Sequence, residues 1–259
     1  MLSFLTATLS RPGPRSENED YCDFREVGGW YCWVVADGLG AHAGGEFASE
    51  AATLAIMNAF RPANLSVTGI ESLVDTAHQG VHNAQVSSPQ RADMRTTIVV
   101  LVSNGRHALW AHVGDSRLYH FRRARLVGRT LDHSVAQALV AAAEISPEAL
   151  RAHPDRNRLL RSLGDSDARP AIPEKKLRLE PEDAFLICTD GWWERITEDE
   201  MTVDLVKAGD PALWLRMMER RLIEKGPRDN YSAIAVFTGP HGVASPVAQA
   251  DSCPDEEAP

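Results

Sequence analysis

The chain has 259 residues, 44% of them hydrophobic and 24% charged, the mix of a globular protein long enough to bury a sizeable core. A net charge of −9 lacks the basic footprint that nucleic-acid binding needs, though it suits a cation-binding cleft. Cys22, Cys32, Cys188 and Cys253 are scattered without CxxC spacing, which argues against a structural zinc site or a disulfide framework and fits a reducing compartment.

The start, MLSFLTATLSRPGPR, has neither a charged n-region nor a small-residue cleavage pattern. No stretch reaches the roughly 18 apolar residues of a membrane helix. A cytoplasmic protein is expected, with no membrane partner. Residues 4–10 alternate and predict a strand, closed by the turn Arg11-Pro12-Gly13-Pro14. The apolar run WYCWVVA (30–36) predicts a buried strand ending at Asp37-Gly38. The glycine-rich segment 40–45 gives way to a helix from about Glu46, and a second helix is expected over 70–86. Strands follow at 96–102, 108–113 and 118–122, then helices at 133–143 and 147–153 and a polar connection at 152–157. AFLICT (184–189) predicts another buried strand ending in Asp-Gly. Helices at 198–207 and 211–224 precede a last strand at 231–237. From Gly239 the chain is rich in Pro, Ala, Ser and acid, so residues 1–238 are expected to form one domain and 239–259 a disordered acidic tail. Runs of like elements, rather than strict βαβ alternation, predict an α+β layered fold.

Three features share one design, a hydrophobic strand that delivers an aspartate at its boundary: VVADG (Asp37), FLICTDG (Asp190) and RDN before YSAIAVF (Asp229). Asp115, in AHVGDSR, sits in a turn between two strands. Hard divalent cations prefer oxygen ligands from a few carboxylates, and strand ends hold such ligands rigidly. Taken singly, each Asp-Gly is most often only a turn, and Arg15-Ser16-Glu17-Asn18-Glu19-Asp20 more often a solvated loop. Together they point to a cation cleft with a guanidinium suited to phosphate beside it.

RSENED, VADGLGAHAGGEFAS, MRTT, HVGDSRLY, LDHS, HPDRNRLLRSLGD, LICTDG and RDNYSAIAV follow one another in order from Arg15 to Phe237. In this the chain resembles the metal-dependent protein phosphatases of the PPM type, also called type 2C, in their bacterial form. The resemblance implies a central β-sandwich of two antiparallel sheets flanked by helices (αββα), with the metal site in a cleft at one edge. It implies two Mn²⁺ or Mg²⁺ ions, with Asp37 as bridge, the Gly38 carbonyl on the second ion, and Asp190 and Asp229 on the first. Glu19 and Asp20 match acidic positions that bind metal directly or through ordered water. Asp115 matches a ligand of a third, weaker ion, and Arg15 the arginine that binds substrate phosphate. The implied reaction is hydrolysis of phosphoserine or phosphothreonine by direct attack of a metal-bridging hydroxide, with Arg15, Asp37 and Asp190 catalytic and no cysteine required.

Departures are informative. Leu39 stands where eukaryotic relatives carry a histidine as candidate general acid, so the proton must come from metal-bound water or another residue. His42 matches a histidine of the bacterial glycine-rich motif, where a structural role is at least as natural. Arg95 replaces a glycine before the threonine pair, where a cation could contact substrate or alter loop packing. MRTT, CTDGWWE and DNYSAIAV are most similar to phosphatases encoded with type VI secretion systems, where they oppose a threonine kinase. The expected partners are phosphoproteins acted on by a monomer. The alternatives are a catalytically silent regulatory module on the same fold, a cation-binding structural protein, and an unrelated hydrolase of small phosphoesters. A silent copy should have lost one of Asp37, Asp190 or Asp229, and none is lost.

Overall fold

A computed structural model describes residues 1–40, 44–239 and 248–249. Strand β1 (Ser3–Arg11) precedes β2 (Asp20–Val27), β3 (Trp30–Leu39) and helices α1 (Gly45–Ala59) and α2 (Val67–Ser87). A meander follows: β4 (Arg95–Thr96), β5 (Ile98–Ser103), β6 (His107–Val113), β7 (Arg117–Arg122) and β8 (Arg125–Arg129). Next come α3 (Val135–Ala141), a 3₁₀ turn at Pro147–Ala152, β9 (Leu177–Arg178) and β10 (Asp183–Cys188). Helices α4 (Asp190–Trp193), α5 (Glu198–Lys207) and α6 (Pro211–Lys225) lead to β11 (Tyr231–Gly239) and β12 (Ala248–Gln249).

The strands form two sheets. One runs β12-β1-β11-β10-β7-β8, and the other β2-β3-β5-β6-β9 with β4 attached to β3. Pairing is antiparallel except between β12 and β1. The α+β sandwich expected from the sequence is present. The continuous apolar runs are strands covered on both faces, so alternate side chains serve different layers. On β3, Cys32, Val34 and Ala36 pack against α1 and α2, while Trp33 and Val35 enter the core between the sheets. On β10, Leu186 and Cys188 face α5 and α6, while Phe185 and Ile187 join the inter-sheet core. Trp33 crosses that core to donate Nε1–H to Thr6 Oγ1 at 3.0 Å, tying β3 to β1.

Several boundaries differ from expectation. β3 continues through Asp37-Gly38 to Leu39 because Gly38 and Leu39 pair with Thr96 and Arg95. The run TTIVVLV is split at Thr97, whose side chain accepts from Asp37 N rather than extending a ladder. Asp190-Gly191 opens a short helix instead of a turn. Strands β2, β8, β9 and β12 were not expected, and residues 147–152 are a 3₁₀ turn rather than an α-helix. His42 and Cys253 lie outside the described residues, as does the expected tail apart from Gly239 and the pair Ala248 and Gln249. No helix among the described residues is long and apolar enough to cross a membrane.

Candidate metal centre

Antiparallel register gathers the predicted residues at one end of the sandwich. Asp20 opens β2 directly opposite Asp37 on β3, so one sheet delivers two carboxylates side by side. On the other sheet β10 ends at Cys188 beside Ala233, near the start of β11. That places Asp190, just after β10, and Asp229, just before β11, at the same end. The β6–β7 turn adds Asp115, and Arg15 follows β1, whose last residue pairs with Tyr231. Two glycines permit the close approach. A Cβ on Gly38 would overlap the Gly45 carbonyl, and one on Gly191 the Asn230 carbonyl.

Like charges in a desolvated place resist ionisation. Burial, then Asp190 and Asp229, push Asp20 up to about 8 against the help of hydrogen bonds from Ser232 and Thr189. Burial, then Glu194 and Asp229, push Asp190 up to about 7. Asp37, partly accessible yet surrounded by protein, is raised by burial and by Asp20, Asp190, Asp115 and Asp229. Asp115 is raised by burial and by Asp190 and Asp132, with Arg117 opposing. Glu19 is raised by burial, with a Gly45 backbone hydrogen bond and Arg15 opposing.

The donor set suits a hard cation: carboxylates and a strand-end carbonyl, without sulfur. Asp20 Oδ1 is buried with no hydrogen-bond partner, an acceptor left open toward its neighbours. Among the described residues, though, no group of three or more His, Cys, Asp or Glu side chains is drawn tightly enough to hold an ion. Arg15 Nη2 donates to Asp229 Oδ2 at 2.8 Å, so the guanidinium expected to meet substrate phosphate neutralises a predicted ligand instead. Cys22, Cys32 and Cys188 are free thiols, and burial pushes Cys22 up to about 12, which leaves it no reactive thiolate.

Sequence reasoning missed the hydroxyls and amides that hold these carboxylates. Thr96 Oγ1 donates to the Asp37 carbonyl at 2.8 Å, and Thr97 Oγ1 contacts Ser116 Oγ at 2.7 Å. Thr189 Oγ1 donates to Asp20 Oδ2 at 2.9 Å, bridging the two sheets. Asn230 accepts from Glu19 N at 2.9 Å and donates to the carbonyls of Pro12 and Glu17 at 2.8 Å each. All lie inside MRTT, GDSR, CTDG or RDN, so the motifs carried the signal without the roles. Arg95 Nη1 donates to Asp165 Oδ2 at 2.8 Å, which ties down a loop. Leu39 pairs with Arg95 along the strand.

The family model described as Protein phosphatase 2C matches residues 14–225, most of the chain. The chain belongs to the protein phosphatase 2C family. It is 27% identical over 224 residues to the serine/threonine protein phosphatase PstP of Mycobacterium tuberculosis, covering 85% of this chain but only 42% of that protein. It is 30% identical over 217 residues to the serine/threonine phosphatase stp of Listeria innocua, covering 74% and 86%. A solved PstP structure superposes with a TM-score of 0.81 at 23% identity over 92% of this chain and 99% of that one, a likeness of fold. Another PstP structure, a catalytic domain with two manganese ions, gives 0.79 at 22% identity, covering 92% and 99%. PppA of Pseudomonas aeruginosa, described as a key regulatory component of T6SS, gives 0.76 at 28% identity, covering 92% and 99%.

Proposed function

We propose that the chain is a metal-dependent protein serine/threonine phosphatase, its catalytic unit spanning residues 1–238 with 239–259 as an accessory tail. The convergence of Asp20 and Asp37 from one sheet with Asp190 and Asp229 from the other carries this reading. Asp37 would bridge two Mn²⁺ or Mg²⁺ ions, with Asp190 and Asp229 on one of them and the Gly38 carbonyl on the other. Asp20 and Glu19 would complete the set, and Asp115 would serve a weaker third ion. When bound, such ions make water a nucleophile near neutral pH and neutralise phosphoryl charge.

The chain's own residues supply position and polarity. Arg15 is held at the cleft by Asp229 and is 57% exposed, so a phosphate can compete for its fork. Thr189 and Asn230 lock the strand ends against each other, which fixes the cleft's width. Cys22, Cys32 and Cys188 take no part, and water displaces the serine or threonine oxygen directly, without a phosphoenzyme. The similarity to PppA, described as a key regulatory component of T6SS, supports a regulatory role beside a type VI secretion system. In that role the chain would act as a cytoplasmic monomer opposing a serine/threonine kinase.

The test is Mn²⁺-dependent phosphate release from a phosphothreonine peptide, with wild type and Asp190→Asn assayed side by side and EDTA as control. Loss of a direct ligand should cost about 100-fold or more in rate. Activity that survives chelation, or a mutant as active as wild type, would overturn the mechanism. Metal binding without activity would favour the silent module.

A further inference from the structure

Arg195 lies in the turn after α4, half-buried as a residue, with its Nε and Nη2 turned from solvent and without a hydrogen-bond partner. A guanidinium held for structure has its fork filled. Arg117, for example, donates Nε and Nη2 to the two oxygens of Asp132 at 2.7 Å each and Nη1 to Tyr119 at 3.1 Å. Shielded N–H groups left unfilled mark the place of a missing acceptor.

The neighbours do not supply one. Glu194 is already gripped by Arg156, through Nε to Oε1 and through Nη2 to Oε2 at 3.1 Å. Burial first, then the charge of Arg228 and more weakly that of Arg156, oppose the Arg195 charge, and Glu194 offsets them only in part. Three guanidiniums against one carboxylate leave two positive charges in a chain that is otherwise strongly acidic. The cluster also borders the carboxylate cleft. Glu194 N donates to the Asp190 carbonyl at 2.9 Å, Arg156 feels the charge of Asp190, and the exposed Arg228 immediately precedes Asp229.

We propose that Arg195 and Arg228, walled by the Arg156–Glu194 pair, form a second anion subsite that takes a carboxylate or phosphate flanking the phosphoresidue of a protein substrate. The inference rests on the phosphatase reading above. Guanidiniums suit both anions through two-pronged hydrogen bonds, and phosphate, with more charge, should bind the better. The subsite would make the enzyme select acidic or multiply phosphorylated segments.

The experiment compares kcat/KM for one phosphothreonine peptide carrying alanine, aspartate or a second phosphoserine at the flanking positions. p-Nitrophenyl phosphate, which has no flank, reports the bare reaction. Wild type should favour the aspartate peptide over the alanine one by about fivefold and the doubly phosphorylated one by more. Added salt should shrink both preferences. In Arg195→Gln and Arg228→Gln the ratios should fall toward one. Arg228 is exposed, so its variant carries the test if Arg195→Gln folds poorly. Equal rates on all three peptides in wild type, or preferences that survive both substitutions, would overturn the subsite. If wild type shows no Mn²⁺-dependent turnover of even p-nitrophenyl phosphate, the phosphatase reading fails and takes this inference with it.

Discussion

Asp20 shows what the site costs the protein. Its Oδ2 receives the Thr189 hydroxyl, its Oδ1 receives nothing, and Asp37 stands directly across the ladder. Asp20→Asn keeps the shape and removes a carboxyl that must take up a proton on folding near neutral pH, so the metal-free variant should be more stable there by on the order of 1–2 kcal/mol. The sign follows from linkage. Folded Asp20 holds a proton up to about pH 8, whereas an unfolded aspartate releases it near 4. Between these values the folded state binds more protons, so this carboxyl's contribution to stability falls as pH rises. Urea unfolding in EDTA at pH 5 and pH 8 should show that fall in wild type and a flatter profile in the variant. A variant less stable than wild type at pH 8 would contradict it. Asp37, Asp190 and Asp229 could be read from the sequence because each borders a hydrophobic run. Asp20 and Glu19 could not, except through the family motif, because the strand they lead into is polar.

At the level of elements, α4 turns a strand end into a ligand holder. Trp192 N and Trp193 N both donate to the Thr189 carbonyl, at 3.2 and 3.4 Å, so the chain coils immediately after β10. The sequence predicts only a turn at Asp-Gly, since a single helical turn has no periodicity to detect. Gly191 allows the coil to sit against the Asn230 carbonyl. Gly191→Ala should therefore push α4 off β11, costing about 1–3 kcal/mol and weakening Mn²⁺ binding by separating Asp190 from Asp229. Thermal melts and metal titration together check this, and a mutant with unchanged metal affinity would show that the two elements do not set the spacing. The unexpected strands have a common cause. The outer end of β2 is exposed and carries Arg25 and Glu26, β8 is exposed over most of its length and interrupted by Gly128, and each is the edge of its sheet, where pairing with one neighbour supplies the order that composition conceals.

For the whole molecule, the four layers follow from runs such as WYCWVVA and FLICT, whose alternate residues fill separate cores; the convergence of strand ends depends on register between distant strands, which no local pattern encodes. This geometry couples the metal site to global stability. The predicted ligands come from both sheets, which are also joined by the inter-sheet core and by bonds such as Trp33–Thr6, Thr189–Asp20 and Glu19–Asn230. An ion that binds only the folded arrangement stabilises it by about 2.7 kcal/mol at a concentration 100 times its Kd. For a domain of this size that corresponds to roughly 5–10 °C in Tm. Mn²⁺ titrated into EDTA-stripped protein should raise Tm by that amount, and Asp37→Asn, which removes the carboxylate on which Asp20, Asp190, Asp115 and Asp229 all act, should abolish most of the rise. The same titration with Arg228→Gln should give the wild-type shift, because that side chain is assigned to an anion and not to the ions. A wild-type Tm indifferent to Mn²⁺ would mean that these carboxylates repel one another for some purpose other than holding a cation, and the phosphatase mechanism would lose its physical basis.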